Sequence, residues 1–166
     1  EAMPDGTDVE IRPIRAEDAE QEDDFVAQLS PRSKRLRFFG AIRTLSPRQL
    51  ARFTQLDFRR ELALVAVLRK GSKEQQIAVA RYYVLPSGKD AEFAVVVHDD
   101  YQRMGLATKL MLRLCDAAKE QNIARLRGSV LKENIAMLSL TRSLGCKDYV
   151  DPNEPDVVQV VLDLTG

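Results

Sequence analysis

The hexapeptide Gln102-Arg103-Met104-Gly105-Leu106-Ala107 constrains this chain more than any other stretch, because of what flanks it. Before it runs Ala91-Glu92-Phe93-Ala94-Val95-Val96-Val97, rich in β-branched residues, which predicts a largely buried strand. After it, Ala107, Leu110, Met111, Leu114, Cys115 and Ala118 recur at helical spacing, so an amphipathic helix is predicted to about Gln121. A strand, a short glycine-bearing turn and a helix start gather several free backbone N–H groups in one place. Such a helix N-terminus carries partial positive charge and suits a phosphate or pyrophosphate. Gly105 lets the backbone approach a ligand without a Cβ in the way.

The remaining chain supplies the scaffold in order. Residues 8–14 alternate polar and apolar and predict a first strand, with Pro13 at an edge or strand end. Residues 16–29 predict a helix with acids crowded into its first turns. Ser30-Pro31 and Ser46-Pro47 each carry an N-cap followed by proline at the first helical position. The helix begun by Ser30-Pro31 has Leu36, Phe38 and Phe39 as apolar contacts and Gly40 near its end, and Leu50, Phe53 and Leu56 form the buried stripe of the next. Residues 61–68 and 76–85 predict a hairpin across Gly71-Ser72-Lys73, and Pro86-Ser87-Gly88 turns into the strand 91–97. A strand at 125–130, one helix further on, has the spacing of a βαβ crossover and hence of a parallel pair. A helix over 134–144 follows, with Met137, Leu140, Thr141 and Leu144 on one face and Gly145 as its stop. A short strand near 146–150 precedes a final one at 157–164. The pattern is a mixed α/β sheet, antiparallel first and with a parallel pair in its middle.

The 166 residues suffice for one domain with its own core, and 45% hydrophobic against 30% charged is an ordinary globular balance. No run approaches the roughly 18 apolar residues of a membrane span, and no secretory pattern appears. Glu1-Ala2-Met3 reads as an added remnant ahead of a native start, and residues 1–7 are expected outside the fold. Cys115 and Cys146 show neither metal nor redox spacing. Free thiols suit a reducing, cytoplasmic setting, and no metal site is expected. A net charge of zero argues against a nucleic-acid partner. Charge is nevertheless uneven: residues 17–24 hold six acids and no base, and an arginine-rich stretch from Arg32 to Arg60 follows. Such runs are read as solvated helix faces, the alternative being a partner surface near an anionic ligand or an acidic protein.

The turn lacks the glycine pattern of a dinucleotide fold and the lysine of a P-loop. Gln102, Gly105 and Ala107 instead fill Gln/Arg-x-x-Gly-x-Gly/Ala, and with the surrounding order of elements the chain resembles the GNAT acetyltransferase superfamily over residues 8–164. Ile11-Arg12-Pro13-Ile14-Arg15, Leu36-Arg37-Phe38-Phe39, Leu45-Ser46-Pro47 and residues 91–100 are similar to the acetyltransferase domain of bacterial Pat-type protein lysine acetyltransferases. In that group the domain is often fused to a synthetase-like or nucleotide-binding region, and regulation by such a module is not carried over. The resemblance implies a single acetyltransferase domain over 1–166 with a GNAT-type fold, whose central parallel pair is splayed.

It also implies acetyl-CoA, or another short acyl-CoA, as donor and a primary amine as acceptor. A protein lysine is expected first, an acyl-CoA synthetase among the candidate substrates. N–H groups from Arg103, Met104, Gly105, Leu106, Ala107 and Thr108 would cradle the pyrophosphate, with charge from Arg103 and Lys109. The edge formed by Val95, Val96 and Val97 would pair with the pantetheine amides, the Val97 N–H polarising the thioester carbonyl, and Asn134 would touch the pantetheine arm. A lysine ammonium must lose a proton before it attacks, and Glu92 is the candidate base, on one strand face with Ala94 and Val96. A solvated strand-end glutamate is the alternative. Thr141 stands where many members carry a tyrosine acid, and Tyr101 and Tyr149 are out of that register. His98 reads as a loop-surface residue. Two other functions stay open: a small-molecule amine acetyltransferase, and a non-catalytic acyl-CoA-binding sensor. The acceptor pocket is expected from residues 29–58 and the strand ends, and the oligomeric state is left open by the residues.

Overall fold

Alternating small and β-branched residues in three successive segments build an antiparallel meander, and one helix later the sheet changes direction. The computed structural model describes residues 8–38, 61–70, 73–102 and 105–165, without the side chains of 35–38, 70 and 73. Its strands are β1 (Val9–Pro13), β2 (Glu61–Lys70), β3 (Lys73–Val84), β4 (Asp90–Val97), β5 (Arg125–Leu131), β6 (Lys147–Asp151) and β7 (Glu154–Asp163). They form one seven-stranded sheet in the order β1-β2-β3-β4-β5-β7-β6. Every pairing is antiparallel except β4 with β5. The helices are α1 (Ala19–Gln28), α2 (Pro31–Phe38), α3 (Leu106–Glu120) and α4 (Ile135–Ser143). None of the described helices is long and apolar enough to cross a membrane.

Within the described residues the predicted elements are present, with shifted ends. β2 and β3 run on to the pair Lys70↔Lys73, because main-chain pairing continues where apolar alternation has stopped. The predicted helix 16–29 divides into a 3-10 turn, Ala16–Asp18, and α1. Ser30 caps α2 as its proline signature predicts, its Oγ accepting from Ser33 N at 3.0 Å. The second such signature, Ser46-Pro47, with Leu50, Phe53 and Leu56, lies outside the described residues, as do residues 1–7, Phe39 and Gly40. Helix α4 ends in a Schellman arrangement, in which Cys146 N donates to Thr141 O at 3.0 Å and Gly145 N to Arg142 O at 3.0 Å.

Each sheet face is covered. Leu106, Leu110, Met111, Leu114, Cys115 and Ala118 of α3, with Leu138 of α4, pack on Ala78, Ala80, Phe93, Val95 and Leu126. The first buried residue of α3 is thus Leu106; Ala107 is half-buried. On the opposite face Phe25, Val26 and Leu29 close over Ala63, Val65, Val67 and Val79, and Val96 packs at the margin. Both cysteines are free, Cys115 buried and Cys146 half-buried. Burial, with the neighbouring Cys115 and Asp148, pushes the Cys146 thiol up to about 11.

The acidic run 17–24 is not simply a solvated face. Asp18 and Glu22 are each 2% exposed. Asp18 takes Arg12 Nη1 and Nη2 at 2.7 and 2.8 Å and the Arg15 N–H at 2.8 Å. Glu22 accepts from Gln76 Nε2 at 2.6 Å and from Arg81 Nη2 at 3.3 Å. A charge this deep persists only when paired, and the arginines reach it from β1 and β3.

Candidate active site

The site begins where β4 and β5 separate. Their parallel pairing covers only Asp90↔Arg125, Ala91↔Leu126 and Glu92↔Arg127. At the joined end Asp90 receives Arg125 Nε at 2.9 Å and Arg127 Nε at 2.8 Å, fastening one strand to the other. Burial pushes the Asp90 carboxyl up, but the two guanidinium groups outweigh it and hold it below the ordinary value. The next residues on the two strands are Phe93 and Gly128, both buried. A Cβ on Gly128 would stand 2.7 Å from two atoms of the Phe93 ring, so only glycine fits beneath it. Beyond that ring the strands form the arms of a V.

Backbone polarity inside the V follows from the β3 side. Leu85 N donates to Asp90 O at 2.8 Å and His98 N to Ile77 O at 2.7 Å. By the alternation of an antiparallel ladder, Asp90, Glu92, Ala94, Val96 and His98 therefore turn their polar groups toward β3. Phe93, Val95 and Val97 turn theirs toward β5, and past Glu92 no β5 strand pairs with them. The opening is lined by the N–H groups of Val95 and Val97. Val96 also lines the cleft, but its amide belongs to β3.

This opening is one wall of a cleft of about 740 Å³. Another wall is the start of α3. Gly105 is its N-cap at φ 77, a left-handed conformation that a side chain would strain. The N–H groups of Leu106, Ala107 and Thr108 fall in the first helical turn, where no carbonyl precedes them as partner. All three residues line the cleft, whereas Lys109 does not. Gln102 also lines it, but its Nε2 donates to Val97 O at 3.1 Å and ties the loop to the end of β4. Arg103 and Met104 lie outside the described residues. Across the cleft Asn134 caps α4, accepting from Met137 N at 3.2 Å, and Ile135, Met137 and Leu140 form an apolar wall.

Glu92 lies three residues before Val95 and is not in the cleft lining. It is half-buried, accepts a hydrogen bond from the Tyr83 hydroxyl opposite it on β3, and adjoins Arg127 on β5. Thr141 is fully buried, and its Oγ1 donates to Leu138 O at 3.1 Å. Its hydroxyl is thus spent inside the helix. Tyr101 lines the cleft; Tyr149 stands exposed on the edge strand β6.

His98 corrects the sequence expectation, for it is 7% exposed rather than on a loop surface. Its Nδ1 accepts from Asp100 N at 3.1 Å, its Nε2 meets Gln28 Oε1 at 3.1 Å, and its ring packs edge-on to Tyr101 at 5.5 Å. These contacts hold the strand end in place. Sequence reasoning also missed Asp99, which lines the cleft and accepts from Ser30 N, Ser30 Oγ and Ser33 Oγ at 3.0, 2.8 and 2.9 Å. Desolvation raises its carboxyl, but these donors together carry it below the ordinary value. The consequence is positional: α2, with Arg32 and Ser33, is fixed as a rim of the cleft.

The cleft is thus a parallel pair parted into a V, with open strand amides beside a glycine-capped helix start. Comparison with known proteins supplies the family. The acetyltransferase (GNAT) family matches residues 30–146. The acetyltransferase PA5475 of Pseudomonas aeruginosa is 34% identical over 161 residues, spanning 97% of this chain and 86% of that protein. The GNAT domain of S. lividans PAT superposes with a TM-score of 0.87 at 30% identity, over 98% of this chain and 94% of that one. The yncA acetyltransferase of Salmonella typhimurium, solved with its cofactor acetyl-CoA, gives 0.73 at 20% identity over 96% of each chain. The chain belongs to the GNAT family of acetyltransferases.

Proposed function

We propose that the protein transfers an acetyl group from acetyl-CoA to the side-chain amine of a protein lysine, with Glu92 as the general base. The observation that carries the donor side of this reading is the row of open amides at Val95 and Val97, leading from the α3 N-terminus into the V. The pyrophosphate binds the N–H groups that begin α3, and the pantetheine amides continue along β4 as an added strand. An anchored donor reaches deepest at its thioester. That makes the Val95 N–H, nearer the closed end than Val97, the donor to the developing oxyanion. The Val97 amide then pairs with the pantetheine arm, which revises the sequence expectation.

The amine approaches from the face shared by Glu92, Ala94 and Val96. Three strand residues, about 10 Å, separate Glu92 from Val95, so a water relays the proton. The proton passes from the lysine ammonium to the Glu92 carboxylate, which Tyr83 orients. The neutral nitrogen forms its bond to the carbonyl carbon and gives up its second proton to solvent, the C–S bond breaks to leave the amide, and the CoA thiolate takes a proton from solvent. No tyrosine is required for that last step, in keeping with Thr141.

Likeness to the GNAT domain of S. lividans PAT supports the protein acceptor. The test incubates the protein with labelled acetyl-CoA and a panel of proteins that includes acyl-CoA synthetases. Label on specific lysines, lost in Glu92→Gln, is expected. CoA release with small amines but none with any protein would place the acceptor in a different class. Acetyl-CoA binding without transfer to any amine would make the domain a sensor.

A further inference from the structure

We propose that Phe93, seated on Gly128 at the closed end of the V, limits the donor's acyl chain to two carbons. The proposal rests on reading the V as the thioester site, and it adds what that reading leaves open, the identity of the acyl group.

Pairing stops at Glu92↔Arg127, and Phe93 and Gly128 follow immediately on the two strands. The ring is 6% exposed, and it fills the space above Gly128 so fully that a single methyl there would lie 2.7 Å from it. On β4 the cleft lining ends at Val95, and the ring stands behind it, where the arms diverge. Phe93 and Val95 share a strand face and stand about 6.7 Å apart by strand rise. A thioester carbonyl hydrogen-bonded to the Val95 N–H directs its acyl carbons into that interval, toward the ring. An acetyl methyl fits ahead of a wall; each further methylene must displace it. The wall itself is braced. Asp90 holds the strands together behind it through Arg125 and Arg127, and Phe93 belongs to the same buried core as Leu110, Leu114 and Leu126. An aromatic over a glycine is a rigid stop, unlike the adaptable stop a methionine would give.

Calorimetric dissociation constants for acetyl-CoA and propionyl-CoA test this without needing the acceptor. Wild type is expected to bind propionyl-CoA about tenfold more weakly, the scale of one methylene in a closed apolar pocket. Phe93→Leu should bring the two constants together, and adding Gly128→Ala to it should restore the gap by refilling the vertex. A merely structural ring would change both constants alike. Equal constants in wild type, or a gap that Phe93→Leu leaves unmoved, would overturn the proposal. Should Phe93→Leu fail to fold, Phe93→Met takes its place, with the same narrowing of the gap expected. Failure of wild type to bind acetyl-CoA at all would instead bring down the reading of the V itself.

Discussion

The carboxylate of Asp99 accepts both the backbone N–H and the hydroxyl of Ser30, at 3.0 and 2.8 Å, across 69 residues of chain. Ser30 also caps α2, so one side chain just past β4 orders the start of that helix over the cleft. Asp99→Ala removes a charged acceptor from three donors. A stability loss of about 1–3 kcal/mol is expected, or a melting temperature lower by about 2–8 °C. The variant should also bind acetyl-CoA more weakly, because Arg32 and Ser33 lose their place on the rim. Unchanged melting would mean that the contact contributes nothing to the fold.

The Asp18–Arg12 pair makes a prediction about acid. Burial raises the Asp18 carboxyl, yet Arg12 and the Arg15 N–H outweigh it, and its value in the folded state lies below the ordinary 3.8. Such a group adds stability above its unfolded value and loses it as pH falls through the folded one. Urea midpoints should therefore hold down to about pH 4 and decline below it. Asp18→Asn leaves Arg12 with Glu74 at 4.0 Å as its nearest carboxylate, and should cost about 3 kcal/mol at pH 7. Part of the acid-dependent decline should vanish with it. A decline of the same size in both proteins would assign the acid sensitivity to other carboxylates.

What could be foreseen from the chain divides along a physical line. The strand runs of β2 to β4, the apolar stripe of α3 and the cap at Ser30 are local periodicities and a local hydrogen bond, and they were legible. So was the turn at Gly105, because a left-handed N-cap favours glycine and stands between two strong periodic signals. Polar partners distant in sequence were not. Nothing near Glu22 announces Gln76 and Arg81, so the acids there look like any solvated run, and His98 looks like a loop residue until Gln28 is brought to it. Phe93 and Gly128 each look ordinary alone. Only the end of the β4–β5 pairing places a ring where a Cβ would be.

Gly105 separates backbone strain from electrostatic exclusion. Nothing lies within 4 Å of a Cβ added there, so a side chain meets open cleft, but φ 77 is strained for an L-residue. Gly105→Ala should cost about 1 kcal/mol in stability and weaken acetyl-CoA binding only a few-fold. Gly105→Glu adds the same strain and sets a negative charge where the pyrophosphate would bind, so binding should fall below detection while the far-ultraviolet circular dichroism stays unchanged. Calorimetry on both variants checks this. Equal affinities for the glutamate variant and wild type would remove the α3 N-terminus from the site.

Glu92 and Tyr83 face each other across β3 and β4, which makes the base separable from its support. Glu92→Gln keeps the shape and loses the proton acceptor. Turnover at saturating acetyl-CoA should fall about 10²- to 10⁴-fold, with the acetyl-CoA dissociation constant unchanged, since the cleft is lined without it. Tyr83→Phe removes only the hydroxyl that orients the carboxylate, and should lower turnover far less. Because water relays the proton, a higher pH should restore part of the Glu92→Gln rate by supplying more neutral amine. A pH–rate profile for the three proteins decides the matter. A variant that loses acetyl-CoA affinity along with rate would make Glu92 a structural residue of the strand rather than the base.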